Sequence, residues 1–195
     1  MRTVIRSLIA IVALTAVFGL AYPAIMTALA SVTFSSKAQG SLLYRNGVPV
    51  GSALVAQSFT NPAYFHERPS GTTPAYNAGT TTFANLGPTN PDLAKAVHQQ
   101  VLAILKLEGP YNPGLTIGDI PVDAVTTSGS GIDPQISPAY AHLQAPRVAA
   151  VRHLPLSTVE RLIKQNTDGR SLGVFGEPGV NVLELNLALD SLGGK

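Results

Sequence analysis

The side chains best suited to chemistry in this chain are four His, 11 Asp and Glu, and a Ser-rich run, and their spacing decides what they could do together. His66-Glu67 looks like the start of a zinc-protease helix, in which a second His four residues on completes the metal site. Position 70 is Ser70 and Pro69 breaks the helix, so no metal site is expected. Ser128, Ser130, Asp133 and His142 could be drawn as a hydrolase triad. A nucleophile elbow, however, needs Gly two residues before and after the Ser. Here Gly129 and Gly131 flank Ser130 directly, which suits a turn better than an elbow. There is no phosphate loop, no dinucleotide fingerprint and no Asp-Lys-Thr-Gly-Thr phosphoacceptor. The absence of Cys excludes disulfides, Cys-based zinc sites and thiol catalysis. The residues therefore predict no catalytic group and no bound metal.

The composition points to a turn-rich but compact chain. Of 195 residues 45% are hydrophobic and only 12% charged, with 18 Gly and 15 Pro. Ordinary soluble domains carry about 25% charged residues. A mean hydropathy of +0.22 argues against disorder, which needs high charge and few apolar residues.

The apolar excess is concentrated at one end. Ser7 to Ala30 contains no charged residue, and about 20 such residues span a bilayer core. The boundaries read as a short N-terminus over 1–6, a membrane helix over 7–32 and a soluble domain over 33–195. Ala28-Leu29-Ala30 also resembles a leader-cleavage site, but the apolar run exceeds the roughly 7–15 residues of a leader core. A retained anchor is the expectation. Pro23 is expected to kink it. Thr15 and Gly19, four apart, form a small-residue face for a neighbouring helix, as do Ala24 and Ala28. Arg2 and Arg6 ahead of the span, against Lys37 and Arg45 after it, favour a cytoplasmic N-terminus by a small margin.

Removing Arg2 and Arg6 from the 13 Lys and Arg leaves 11, matched by 11 Asp and Glu beyond the span. A neutral domain has no electrostatic motive for binding nucleic acid.

The elements that must position these residues predict an α+β domain. Asn46-Gly47 between apolar runs marks a hairpin, with Pro49 placing its second strand at an edge. From Phe59 to Pro91 no period survives, and Tyr64, Phe65, Tyr76 and Phe83 require burial in an ordered irregular segment. Asn90-Pro91-Asp92 starts a helix whose stripe is Leu93, Val97, Val101, Ile104 and Leu105, and Gly109-Pro110 ends it. Ser137-Pro138 opens a second helix, expected to be interrupted at Pro146. Ser157 and Glu160 form a capping box for a third, closed by Asp168-Gly169. Asn181 to Leu187 alternates apolar and polar residues and reads as a strand.

Six blocks carry a further signal. GSALVAQSFTNPAYFHERPS (51–70), YNAG (76–79), NLGPTNPDL (85–93), residues 120–152, DGRSLG (168–173) and GEPGVNVLELNLALD (176–190) resemble, in order and spacing, the C-subunit family of the Kdp potassium-transporting P-type ATPase. The likeness includes the N-terminal anchor. Gln135 and Asn166 stand where the family often has His, and Thr81-Thr82-Phe83-Ala84 replaces its usual Ser-Gly-Gly-Ser.

The resemblance implies a single-pass, non-catalytic accessory subunit of the bacterial inner membrane, with its soluble domain outside. Its implied partners are a channel-like K⁺-binding subunit and a P-type pump subunit, which it assembles and stabilises. ATP and Mg²⁺ would be used by the pump and K⁺ carried by the complex, with no cofactor held firmly by this chain. It also implies a chaperone effect that raises the pump's ATP affinity; with the soluble domain outside, such an effect has to reach the pump through the membrane subunits. Gln144 is the first residue to test for direct ATP contact. Low charge further suggests a docking surface over 61–70 and 76–91, including Asn61, Tyr64, Phe65, Tyr76, Asn77 and Asn85. The competing class is a membrane-anchored envelope binding protein or hydrolase.

Overall fold

A computed structural model describes residues 1–80 and 85–192, so the expectation that Phe83 is buried and the departure at 81–84 lie outside the described residues. The chain divides into two units, Met1–Pro49 and Val50–Lys195.

The first unit is dominated by one continuous helix, Arg2–Thr33, long and apolar enough to cross a membrane, with an 18-residue window of mean hydropathy 2.3. It runs as α1 (Arg2–Leu14), a π-helical stretch (Thr15–Ala21) and α2 (Tyr22–Thr33). The wide turn sits immediately before Pro23. A proline ring collides with the carbonyl four residues earlier, here that of Gly19, and removes one backbone donor. Rewinding this stretch with bonds five residues apart accommodates both effects without ending the helix. Ser31 and Thr33 donate their hydroxyls back to the carbonyls of Thr27 and Leu29. After α3 (Ser35–Ala38) the Asn46-Gly47 hairpin forms as expected, from β1 (Leu42–Arg45) to β2 (Val48–Ser52). Asn46 and Gly47 both have positive φ, as the tight turn requires.

The second unit is α+β. Residues 53–80 and 85–90 form no regular helix or strand. α4 (Pro91–Glu108) begins with Asn90 Oδ1 accepting from the Asp92 N–H at 2.9 Å, and ends at Gly109. Its inward face is Val101, Ile104 and Glu108. A short α5 (Val122–Val125) and β3 (Gln135–Ile136) lead to α6 (Pro138–Arg152), capped by the Ser137 hydroxyl. α7 (Leu156–Gln165), β4 (Thr167–Asp168), β5 (Gly179–Asn181) and α8 (Val182–Leu192) complete the fold. The sheet has the order β3-β5-β4 and is antiparallel throughout, with Ile136 opposite Val180 and Thr167 opposite Val180 on the other side. The core gathers Phe65, Ile104, Ile136, Tyr140, Val148, Val159, Ile163, Val180, Leu185 and Leu189.

Three sequence expectations are corrected. Pro146 does not interrupt α6, because Ala141, Ala145, Val148 and Ala149 pack one continuous face into the core and hold the helix through it. Glu160 does not cap α7. It pairs with His142 of α6, and the helix starts at Leu156 without a side-chain cap. Residues 182–187 are helical rather than extended. Val182, Leu185 and Leu189 fall on one buried helical face, and Asn181 caps the helix by accepting from the Glu184 N–H.

Candidate functional site

Residues 61–70 have no regular structure, yet they are densely hydrogen-bonded to the rest of the second unit. Asn61 starts a turn, its Oδ1 accepting from the Ala63 N–H at 2.9 Å. Beyond it, side chains from two helices grip the backbone, and a third helix braces one of them. Asn186 of α8 brackets Phe65, accepting from its N–H at 2.9 Å and donating to its carbonyl at 3.0 Å. Gln144 of α6 does the same for His66, at 2.7 Å and 3.0 Å. Arg147, one turn along α6, donates Nη1 to the carbonyls of Pro62 and Tyr64, and Nη2 to Gln144 Oε1. Its Nε meets Glu108 Oε1 of α4 at 2.8 Å.

The Arg147–Glu108 pair is wholly buried. Burial pushes the Glu108 carboxyl upward, with Arg147 pulling it back. Two charges in the interior cost much of what their attraction supplies, so the pair specifies geometry more than it adds stability. The guanidinium is suited to this place because its planar fork reaches several acceptors at once.

A second arginine closes the far edge. Arg152 donates to the Ala63 carbonyl at 2.6 Å and pairs with Asp190 Oδ1 of α8 at 2.8 Å. Its guanidinium lies 4.5 Å from the centre of the Tyr64 ring, and Tyr64 Oη donates to Asp190 Oδ2. Arg68 ties the exit of the segment to Asp133 at 3.1 Å and to the carbonyls of Thr126 and Thr127. Ser70 Oγ then donates to the Gly131 carbonyl and accepts from the Tyr76 N–H at 2.8 Å. Gly131 is buried at φ +74°, and a Cβ there would lie 3.2 Å from the Gly71 backbone, so the Ser-Gly-Ser-Gly run is a close-approach turn.

This geometry sorts the candidate residues. Phe65 is fully buried in the core, and that corrects its assignment to a docking face. Gln144 is likewise completely buried, with its oxygen and nitrogen both engaged. Tyr64 and Tyr76 are half-buried, and Tyr76 Oη donates to the Arg68 carbonyl. Asn77 Oδ1 accepts from the Gly79 N–H. Asn61 and Asn85 are exposed, Asn85 at positive φ. Thr15 and Gly19 do share a face, since a Cβ on Gly19 would touch Thr15 Cγ2 at 3.6 Å.

No triad assembles: Ser128 Oγ accepts from the Gly131 N–H, Asp133 holds Arg68 and His142 holds Glu160. No group of three His, Asp or Glu among the described residues could hold a metal ion. The His66 ring approaches the Asn61 carbonyl, and burial followed by the field of Arg147 lowers its pKa.

Sequence reasoning missed Glu108, Arg147, Arg152 and Asn186. Two of these carried a readable signal: Glu108 continues the inward Val101–Ile104 face of α4, and Arg147 interrupts the alanine-rich inward face of α6. It also missed the hairpin tip after β4. There a bridge between Ser171 and Phe175 holds out Leu172, Val174 and Phe175, which are 90%, 67% and 66% exposed.

A family model described as "K+-transporting ATPase, c chain" matches residues 4–191. Curated relatives named potassium-transporting ATPase KdpC subunit match over nearly their whole length. That of Burkholderia orbicola (strain MC0-3) is 50% identical over 194 residues, covering 98% of this chain and 97% of the relative. That of Dechloromonas aromatica (strain RCB) is 48% identical over 194 residues, covering 98% and 99%. The Methylorubrum extorquens protein is 48% identical over 198 residues, covering 95% of each.

Proposed function

The chain belongs to the KdpC family, the c chain of the K⁺-transporting ATPase, and we propose that it acts there as a membrane-anchored clamp on the transport and pump subunits. Its place as a non-catalytic subunit of the K⁺-transporting ATPase follows from the family. The match from residue 4 to residue 191 carries this reading, because it spans the apolar helix as well as the folded second unit.

In the proposed arrangement the N-terminus is cytoplasmic, residues 7–32 cross the bacterial inner membrane and residues 33–195 lie outside. A channel-like subunit that binds K⁺ and a P-type subunit that hydrolyses Mg²⁺–ATP are the partners. Thr15 and Gly19 offer a close-packing face to a neighbouring membrane helix. In the second unit, contact falls to exposed groups. The apolar 172–175 tip and the exposed Asn61 and Asn85 are available, whereas Phe65 is committed to the core.

The chaperone effect on ATP affinity fits an indirect route. Gln144 holds the backbone of His66, so replacing it loosens the 61–68 segment rather than removing an exposed amide. Asn186 grips the same segment from α8 and separates the two mechanisms. If coupling passes through the segment, Gln144→Ala and Asn186→Ala shift the ATP dependence of the purified complex in the same direction. A shift with Gln144→Ala alone would instead assign the amide to direct contact.

A further inference from the structure

One acidic side chain within the gripped segment has no assigned task. Glu67 is 5% exposed, and among the described residues no side chain donates to its carboxyl oxygens, the Gln57 backbone alone pulling on the charge. Buried polar groups are ordinarily given donors, so an orphaned carboxyl is a departure that needs a cause. Glu67 lines a cavity of about 370 Å³ between the 59–76 segment, α4 and α6. Phe59, Ile104 and Leu107 give that cavity an apolar wall, while Gln100 and Tyr140 contribute an amide and a hydroxyl.

The cations of this chain that lie nearby have other partners. Arg68 is held by Asp133, Thr126 and Thr127, and Arg147 by Glu108, Gln144 and two carbonyls. The other titratable groups around the cavity are His66, on the Asn61 carbonyl, Tyr76, on the Arg68 carbonyl, and Tyr140. Asp133 adds a repelling negative charge.

We infer that this cavity is a binding site for an alkylammonium group, either a lysine side chain or a free primary amine, with Glu67 as its carboxylate. A hard metal ion such as Ca²⁺ takes about six to eight oxygen ligands, mostly carboxylates and carbonyls, whereas among the described residues Glu67 is the one carboxylate in this lining. An ammonium needs only a few acceptors, and its methylene stem covers apolar surface. Burial pushes the Glu67 pKa up to about 9, against a weaker opposing pull from the Gln57 backbone, so at neutral pH the carboxyl holds its proton. On binding, the Glu67 O–H bond breaks and the proton leaves to solvent. The carboxylate then accepts N–H bonds from an ammonium that keeps all its hydrogens.

The test uses the full-length chain in detergent at neutral pH, titrated with n-butylammonium chloride. The expected result is release of up to one proton per chain, with loss of the protonated-carboxyl stretch from the infrared spectrum. Glu67→Gln keeps the shape, removes the acid and should abolish proton release and weaken binding by about tenfold or more. Ala103→Leu, at an exposed α4 position lining the cavity, narrows it and should weaken binding with the acid intact. Circular dichroism checks that both variants fold. Carbodiimide coupling in native membranes identifies the source. A Glu67–lysine adduct to another polypeptide names a side chain, and butylammonium binding without an adduct names a free amine; either upholds the inference. It is overturned if butylammonium releases no proton, if Glu67→Gln binds equally well, or if KCl displaces the same proton at the same concentration.

Discussion

Individual side chains in the second unit are set against one another in ways that predict opposite effects on stability. Glu67 keeps a proton in the folded chain to about pH 9, while an unfolded Glu releases it near its ordinary value of 4.5. The folded state therefore binds more protons across that window, and stability falls as pH rises through it. Glu67→Gln should flatten this dependence and raise stability near pH 7 by roughly 2–3 kcal/mol, measured by urea unfolding at about pH 5 and about pH 8. Arg147 behaves in the reverse sense. Arg147→Ala strands the buried Glu108 carboxyl and frees two carbonyls, and should cost about 3–5 kcal/mol. Arg147→Lys should recover little of this, because an ammonium cannot reproduce the planar fork. None of these pairings is local: Arg147 and Glu108 are 39 residues apart, and Asn186 and Phe65 are 121 apart. Sequence could mark them as polar groups on buried faces, but not as partners.

Elements whose ends are fixed by neighbouring residues were readable in advance, and those decided by packing were not. Asn90 caps α4 and Asn46-Gly47 turns the hairpin because each acts within a few residues. Leu183, Leu185 and Leu187 spell a strand by alternation, yet the Asn181 cap and the Val182–Leu185–Leu189 face make the segment a helix. Asn181 also donates to the Ala53 carbonyl, so Asn181→Ala should cost about 2 kcal/mol, at the upper end for a lost cap, in thermal unfolding. Pro146 likewise defied its local reading once the core-facing alanines of α6 were packed. The exposed tip between β4 and β5 gives the clearest functional prediction at this scale. Replacing Leu172 and Phe175 together by Ser removes apolar surface that faces no core. Stability should change by no more than about 0.5 kcal/mol per site, while recovery of the partner subunits in a detergent pull-down falls. Unaltered recovery would remove the tip from the docking surface.

The molecule joins two units of different character. In the first, a helix without a buried residue carries a small-residue face, so Gly19→Leu should leave the second unit's unfolding midpoint unchanged and reduce assembly of the complex. The neutral charge balance and the long apolar helix were legible from composition. Which of the candidate docking residues reach the surface was not, since Phe65 and Asn61 are four residues apart and only one is exposed. The grip of α6 and α8 on residues 61–68 has a dynamic corollary. The amides of Phe65 and His66 belong to no helix or strand, yet each is bonded to a carboxamide buried at the junction of separate helices. Releasing either requires those helices to part. Their deuterium uptake should therefore track whole-unit unfolding, as slow as the centre of α6 and far slower than the neighbouring exposed loop.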